Sequence, residues 1–475
     1  MLALLISKAN RKKERLPRPD AHLAVDTQNK HMSFERMSTT GHVTALPSPS
    51  DLSGLAQRYA RTRQQTVELT RPLSPEDCQL QSMPDASPAK WHLAHVTWFF
   101  ETFLLERFEP NFAPFHAGYR VLFNSYYNAV GSKHPRHQRG LISRPTLAEV
   151  LLYRAQVDQR MQALISSLAG LEASDQQTLH ELLELGLHHE QQHQELLITD
   201  IKHALSQNPA RPAYAQHWPL AATHPQALGW VRQAGGLVLH GHAPALDGSF
   251  AFDNETPRHQ VFVAPFEIGD RPVTNGDMIK FIQDGGYQRP DLWLSMGWDW
   301  VQQGAQQLPL YWQLEGGRYS NFTLYGQVTV DPNTPACHLS YFEADAYARW
   351  AGARLPTEQE WELAARSQPQ NITGNLQDNN TFHPLPLQER HDGRLAQLWG
   401  DVWEWTQSSY CAYPGYKPWE GLVGEYNGKF MCQQFVLRGG SCATPKNHLR
   451  ASYRNFFPPE AQWQFSGLRL ARDVV

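Results

Sequence analysis

An α+β multidomain architecture, a four-helix bundle followed by a separate α+β domain, is predicted from three observations. The first is a run of long amphipathic segments with helical apolar spacing between residues 46 and 205. The second is a Pro- and Ala-rich break, "SQNPARPAYAQHWPLAATHPQ", over 206–226. The third is a change of texture over 227–475. There, short β-branched and aromatic runs alternate with Gly, Pro and Asn clusters and with short helical segments.

The tail comes first. Residues 1–45 show no helical or strand period and are expected to be disordered. Their opening, "MLALLISKANRKKERLPRPD", places its charge after its apolar run. That order does not suit a secretory signal, and the run is far too short to span a bilayer.

Four helices follow. "LSGLAQRYARTRQQTVELT" spaces Leu55, Tyr59 and Thr66 along one face. "SPAKWHLAHVTWFFETFLLERF" opens on a Ser-Pro start signal and runs about five turns. "TLAEVLLYRAQVDQRMQALISSL" has Thr146 as its expected N-cap. "SDQQTLHELLELGLHHEQQHQELLITDIKHAL" is the fourth. A long connection, 108–145, joins the second to the third. Beyond the break, "HQVFVAPFEIG" and "QFVLRGGS" read as strands, and "NGDMIKFIQDGG" and "SYFEADAYARWAGA" as short helices.

Composition narrows the function. The 475 residues suffice for several cores, and 41% hydrophobic content with 11% aromatics indicates a globular protein. A formal net charge of −4 calls for neither nucleic acid nor a membrane as partner. Five cysteines without a CxxC pair argue against a disulfide framework and for a reducing compartment, hence a cytoplasmic protein.

"HHEQQHQE" carries the chemistry. His189 and His193 are four apart and share a helix face, so they can hold one divalent metal. The same pattern also occurs on solvated polar faces. Glu195, six residues from His189, lies well round the helix and suits a role in orienting a histidine. His188 and His180 read as packing or solvent-facing residues. "WHLAHVTWFF" adds His92 and His95 on a strongly apolar helix. A histidine there is either a hydrogen-bonded core residue or the third ligand from a neighbouring helix. Three neutral imidazoles suit iron, zinc or copper.

"WHLAHV", "HEQQHQE", "GDVWEWT", "LRGGSCATP" and "FSGLRLARD", in this order, resemble the EgtB family of ergothioneine-biosynthesis sulfoxide synthases. The resemblance covers about residues 52–475. It implies a DinB-like bundle fused to a C-terminal domain resembling formylglycine-generating enzyme, a C-type-lectin-like scaffold. It further implies Fe(II) held by His95, His189 and His193, with hercynine, a thiol donor and O2 as substrates. Gln192 matches a residue that contacts the substrate imidazole. Arg136 and Arg139 match arginines that hold carboxylates of the thiol donor. Asn455 matches an asparagine near the hercynine carboxylate and trimethylammonium.

One family type reads Asn-Trp-Asp where this chain has Asn455, Phe456 and Phe457, which leaves cysteine and γ-glutamylcysteine both open as donors. Phe456 and Phe457 are candidate aromatic faces for the quaternary ammonium. The adjacent Tyr126 and Tyr127, in the long interhelical connection, resemble the second type, whose catalytic tyrosine comes from this loop. Zinc cannot change oxidation state as oxygen reduction requires, so iron fits the implied chemistry. The alternatives are a selenoneine synthase acting on a selenosugar and a non-catalytic ligand-binding protein. A formylglycine-generating activity needs a cysteine pair after "RGGS". Cys442 has no second cysteine between it and the C-terminus.

Overall fold

The computed structural model describes residues 49–220, 224–244, 249–369, 371–388 and 393–474. The tail expected over 1–45 lies outside them. The described residues fall within one compact unit.

Four long helices build the N-terminal half: α1 (Pro49–Glu68), α2 (Ala89–Phe100), α3 (Leu147–Ser167) and α4 (Ala173–Ser206). Every residue of α2 is buried, which is why its sequence is apolar almost all round. The chain continues from α2 through a π turn, Glu101–Leu105, to Phe108. Thr146 caps α3 as expected: its hydroxyl accepts from Glu149 N, and Thr146 N donates to Glu149 Oε2 at 2.7 Å.

Gly186 sits inside α4, where a glycine costs about 1 kcal/mol against alanine. A Cβ there would meet the Phe100 ring at 2.5 Å, so the glycine lets α4 lie directly on α2. One turn on, the buried Glu190 accepts from Arg63 Nη1 at 2.8 Å, from Thr66 Oγ1 at 2.6 Å and from Arg154 Nη2. This network clamps α1, α3 and α4 together beside His189. Its carboxylate is fully paired, which is the condition for keeping a charge inside.

After α4 the connecting segment is tied down. Tyr214 N and Ala215 N both donate to Leu324 O at 2.8 Å, and Tyr214 Oη donates to Leu69 O at 2.8 Å. The C-terminal half then runs β1 (Trp230–Gln233), β2 (Gly236–His240), β3 (His259–Val263), β4 (Phe266–Gly269), α5 (Asn275–Gln283), α6 (Ser295–Gly304), β5 (Trp312–Glu315), β6 (Arg318–Thr323) and β7 (Gly326–Thr329). It continues with α7 (Tyr341–Trp350), α8 (Glu358–Arg366), β8 (Trp403–Ser409), β9 (Phe435–Arg438), β10 (Asn455–Phe457), β11 (Ser466–Leu468) and β12 (Ala471–Asp473).

The strands form small sheets, ordered β1-β4-β12, β10-β9-β8-β11, β2-β3 and β5-β6-β7. Among the strand pairs of the described residues, β11 on β8 alone is parallel. Such short strands leave long irregular connections, and these supply the half of the site that faces the bundle. No helix among the described residues is long and apolar enough to cross a membrane.

Candidate active site

α2 and α4 bring three imidazoles together. His189 and His193 project from one face of α4, and His95 meets them from α2. The ring centroids form a near-equilateral triangle, with sides of 4.6 Å (His95–His193), 4.7 Å (His189–His193) and 5.0 Å (His95–His189). His95 Nε2 and His189 Nε2 are 3.3 Å apart. Two ligand nitrogens bonded at about 2.1 Å to one ion, roughly at right angles, lie about 3 Å apart. The spacing therefore fits a shared metal.

Each ring is fixed from behind. His95 Nδ1 donates to Phe123 O at 2.6 Å, which leaves the Nε2 lone pair facing inward. The His95 ring lies between the indoles of Trp91, at 4.5 Å, and Trp98, at 5.6 Å. His193 Nδ1 pairs with His92 Nδ1 at 2.9 Å, and His92 Nε2 pairs with Asp200 Oδ2 at 3.1 Å. Asp200 Oδ2 also accepts from Ser87 N at 2.7 Å. A carboxylate thus orients His92, which orients His193. His189 rests against Phe99 at 4.6 Å, and its Nδ1 has no hydrogen-bond partner among the described residues. Burial holds His95 and His193 well below the usual imidazole pKa and pushes His189 down to about 3. All three are neutral and ready to donate a lone pair. One cluster of at least three metal-capable side chains occurs among the described residues, and it is this one.

The two apolar-helix histidines thus divide the two roles that the sequence leaves open. His95 joins the triad, and His92 is the hydrogen-bonded support. Asp200 is a residue that sequence reasoning missed. Its signal was present, since it follows His193 by seven residues and so shares its face two turns on.

Beside the triad lies a small, partly open cavity between the bundle and the C-terminal half. From the bundle side it is lined by Tyr127, Leu185, His189 and Gln192, and from the C-terminal half by Phe252, Asp253, Trp419 and Tyr426. Gln192 Nε2 donates to Tyr453 Oη at 2.9 Å. Tyr127 packs on Phe103 and Trp98, at 5.0 and 5.9 Å, with its ring at the cavity. Tyr126 packs on Phe430 at 5.0 Å and on the cavity-lining Tyr426 at 5.9 Å.

The two arginines differ. Arg139 is buried, with its guanidinium 3.4 Å from the Trp91 ring centroid and bonded to Ser87 Oγ at 2.9 Å and Ser125 Oγ at 3.2 Å. Burial pushes its pKa down to about 9. Arg136 is 40% exposed and donates to the Asp85 carbonyl.

Asn455, Phe456 and Phe457 are not among the residues that line this cavity. They form β10, paired antiparallel to β9. Asn455 Oδ1 accepts from Phe456 N at 3.0 Å, Phe456 stacks on Tyr410 at 4.0 Å, and Phe457 packs on Trp463 at 5.8 Å. The aromatic residues that line the cavity from the C-terminal half are Phe252, Trp419 and Tyr426. Sequence reasoning missed these because they sit in irregular segments with no period.

Glu195 also departs from expectation. It orients no histidine but accepts from three groups of the C-terminal half: Trp403 Nε1 at 2.7 Å, Ser441 Oγ at 2.5 Å and Thr444 Oγ1 at 2.8 Å. Helix phase explains the difference, since Glu195 points away from the face that carries His189 and His193. His188 is buried and stacks on Phe250 at 4.0 Å, while His180 is half-buried.

Comparison with known proteins agrees with this two-part build. Residues 58–197 match the DinB superfamily, and residues 219–474 match the sulfatase-modifying factor enzyme 1-like domain. Hercynine oxygenase of Mycolicibacterium smegmatis is 34% identical over 449 residues, covering 88% of this chain and 99% of the relative. That of Mycobacterium tuberculosis is 34% identical over 444 residues, with the same coverage. The chain belongs to the hercynine oxygenase family. Its C-terminal part is also similar to the formylglycine-generating enzyme of Streptomyces coelicolor, at 30% identity over 317 residues, 56% of this chain and 96% of the relative.

Against the hercynine oxygenase background, the segments "GDVWEWT" and "RGGSCATP" acquire a structural meaning. They supply Trp403, Ser441 and Thr444, the groups that seize Glu195 and seat the C-terminal half over the histidines.

Proposed function

We propose that this enzyme of the hercynine oxygenase family uses Fe(II) and O2 to join a thiol donor, cysteine or γ-glutamylcysteine, to C2 of the hercynine imidazole. Sulfoxide formation accompanies the step, within ergothioneine biosynthesis. The convergence of His95, His189 and His193 at the edge of a cavity carries the proposal. The donor set fits the metal: His95, His189 and His193 would hold it through three neutral imidazoles. Bound there, iron supplies a centre that changes oxidation state and activates dioxygen, which zinc does not.

The remaining residues bind, orient and move protons. Gln192 meets the substrate imidazole. Phe252, Trp419 and Tyr426 offer aromatic faces to the quaternary ammonium, with the Asp253 carboxylate beside them. Burial raises the Asp253 pKa, while bonds from Asn427 Nδ2 and Tyr416 Oη favour its ionised form. Arg139 is a desolvated guanidinium held by two neutral hydroxyls, and a donor carboxylate is the partner that suits it. Arg136 takes a second carboxylate after releasing the Asp85 carbonyl. Tyr127, on the cavity wall, would hold the proton that oxygen reduction consumes, while Tyr126 secures the neighbouring loop. Asn455, Phe456 and Phe457 support the substrate side from behind, through Phe430 at 5.9 Å from Phe456. The five cysteines are free, which fits work in the reducing cytoplasm.

The test is metal analysis of the purified chain, followed by O2 consumption and product analysis with hercynine and a panel of donors. The expected result is bound iron and a C2-sulfoxide with cysteine or γ-glutamylcysteine. A metal-free, inert protein overturns the oxygenase reading, and a marked preference for a selenosugar overturns the thiol assignment.

A further inference from the structure

Gln192 faces the cavity from α4, and its amide is not free to turn. Its Nε2 donates to Tyr453 Oη at 2.9 Å. That oxygen lies 2.9 Å from His448 Nε2, and His448 Nδ1 lies 3.0 Å from His188 Nδ1. His188 Nε2 lies 3.3 Å from Glu184 Oε1. Arg58 grips the same carboxylate with both terminal nitrogens, at 2.8 and 2.6 Å. Tyr453, His448 and His188 are buried.

Such a chain has one polarity, set by its charged end. An arginine-paired carboxylate only accepts, so His188 must present Nε2–H to Glu184. A neutral imidazole carries one N–H, so His188 Nδ1 accepts from His448 Nδ1–H. His448 Nε2 is then a lone pair and accepts the Tyr453 O–H. The Tyr453 oxygen in turn accepts the Gln192 N–H. The carbonyl Oε1 is what remains of the amide to face the cavity. The reverse polarity sets the His188 Nε2 lone pair against an ionised carboxylate.

We infer that Glu184, His188, His448 and Tyr453 form a positioning relay that fixes Gln192 Oε1 as an acceptor toward the cavity. The site therefore selects an azole ring that presents an N–H at that edge. The inference rests on the reading of Gln192 as the residue that meets the substrate ring. It also couples substrate recognition to domain seating, because Glu184, His188 and Gln192 belong to α4 while His448 and Tyr453 belong to the C-terminal half.

The experiment is calorimetric binding to the metal-loaded full chain. It compares hercynine with its oxazole analogue, in which oxygen, an acceptor, replaces the ring N–H. The wild-type chain should prefer hercynine by about 100-fold, the loss of one buried hydrogen bond plus acceptor–acceptor repulsion. Tyr453→Phe releases the amide to turn its NH2 inward and should narrow that ratio at least tenfold. Glu184→Gln, near the outer end of the relay, should narrow it less. A ratio unmoved in both variants overturns the relay. Hercynine affinity unmoved in Gln192→Ala overturns the underlying reading of Gln192 instead, which separates the two failures. A purely structural role for Tyr453 would weaken both ligands equally and leave the ratio untouched.

Discussion

Glu195 Oε1 accepts the indole N–H of Trp403 at 2.7 Å, across the seam between helix bundle and C-terminal half. Burial raises the Glu195 pKa, while Ser441, Thr444 and Trp403 stabilise its ionised form. Three buried donors converge on this one side chain, so its loss strands all of them. Glu195→Ala should cost about 2–4 kcal/mol in denaturant unfolding, whereas Glu195→Gln keeps an acceptor and should recover most of that. Iron stoichiometry should survive in both variants. Loss of iron in folded Glu195→Gln would return Glu195 to the histidine-orienting role.

Metal affinity should follow the support behind the ligands. His193→Ala removes a ligand and should abolish stoichiometric iron while far-UV circular dichroism stays native. Asp200→Asn leaves all three ligands in place but weakens the grip on His92, and through it on His193. Loss of such a partner typically costs about 10–100-fold in metal affinity. Competition with a chelator measures this, and an unchanged constant in Asp200→Asn removes Asp200 from the support chain.

The legible and illegible parts of the site follow from locality. The His189/His193 pair was readable because i and i+4 on one helix share a face whatever the fold. His95 and His92 were not separable from the residues alone. Both sit on a helix buried all round, and only the packing of Asp200 against His92 assigns their roles. The bundle was legible from its apolar period and the Thr146 N-cap, since helices obey local rules. The cavity wall of Phe252, Asp253, Trp419 and Tyr426 was not. These residues come from irregular segments brought together by long-range contacts. The same limit explains Glu195, whose partners lie more than two hundred residues away.

Tyr127 and Tyr126 should separate kinetically. Tyr127 lines the cavity with His189, while Tyr126 packs on Phe430 and Tyr426. Tyr127→Phe should lower sulfoxide turnover by about 10²-fold, the usual scale for a general acid, with hercynine KM little changed, or divert product toward thiol oxidation. Tyr126→Phe should leave product distribution alone. The opposite ranking in a steady-state product assay transfers the proton-donor role to Tyr126.

Lys202 offers a pH signature independent of the metal. It is buried on α4, its Nζ meets His338 Nε2 at 2.6 Å, and the Tyr311 and Phe465 rings each lie 5.0 Å away. Desolvation by burial pushes its pKa down to about 8 from an ordinary value near 10.5, with the neighbouring Cys337 and Cys442 opposing that shift only weakly. The sign follows from proton counting. Between about 8 and 10.5 the unfolded chain binds a proton here that the folded chain does not. The stability associated with neutral Lys202 is full above 10.5 and is lost as pH falls to about 8, then stays level. Across that window the loss amounts to about 3 kcal/mol. Lys202→Met removes the titration but keeps the length of the side chain. Relative to wild type, the variant should therefore gain about 3 kcal/mol more at pH 7.5 than at pH 10.5. Titrating groups remote from Lys202 contribute equally to both proteins and cancel in the difference. Urea unfolding at both pH values measures it. A wild-type–variant difference that is flat with pH means that the ammonium is ionised in the fold and held by a partner stronger than His338.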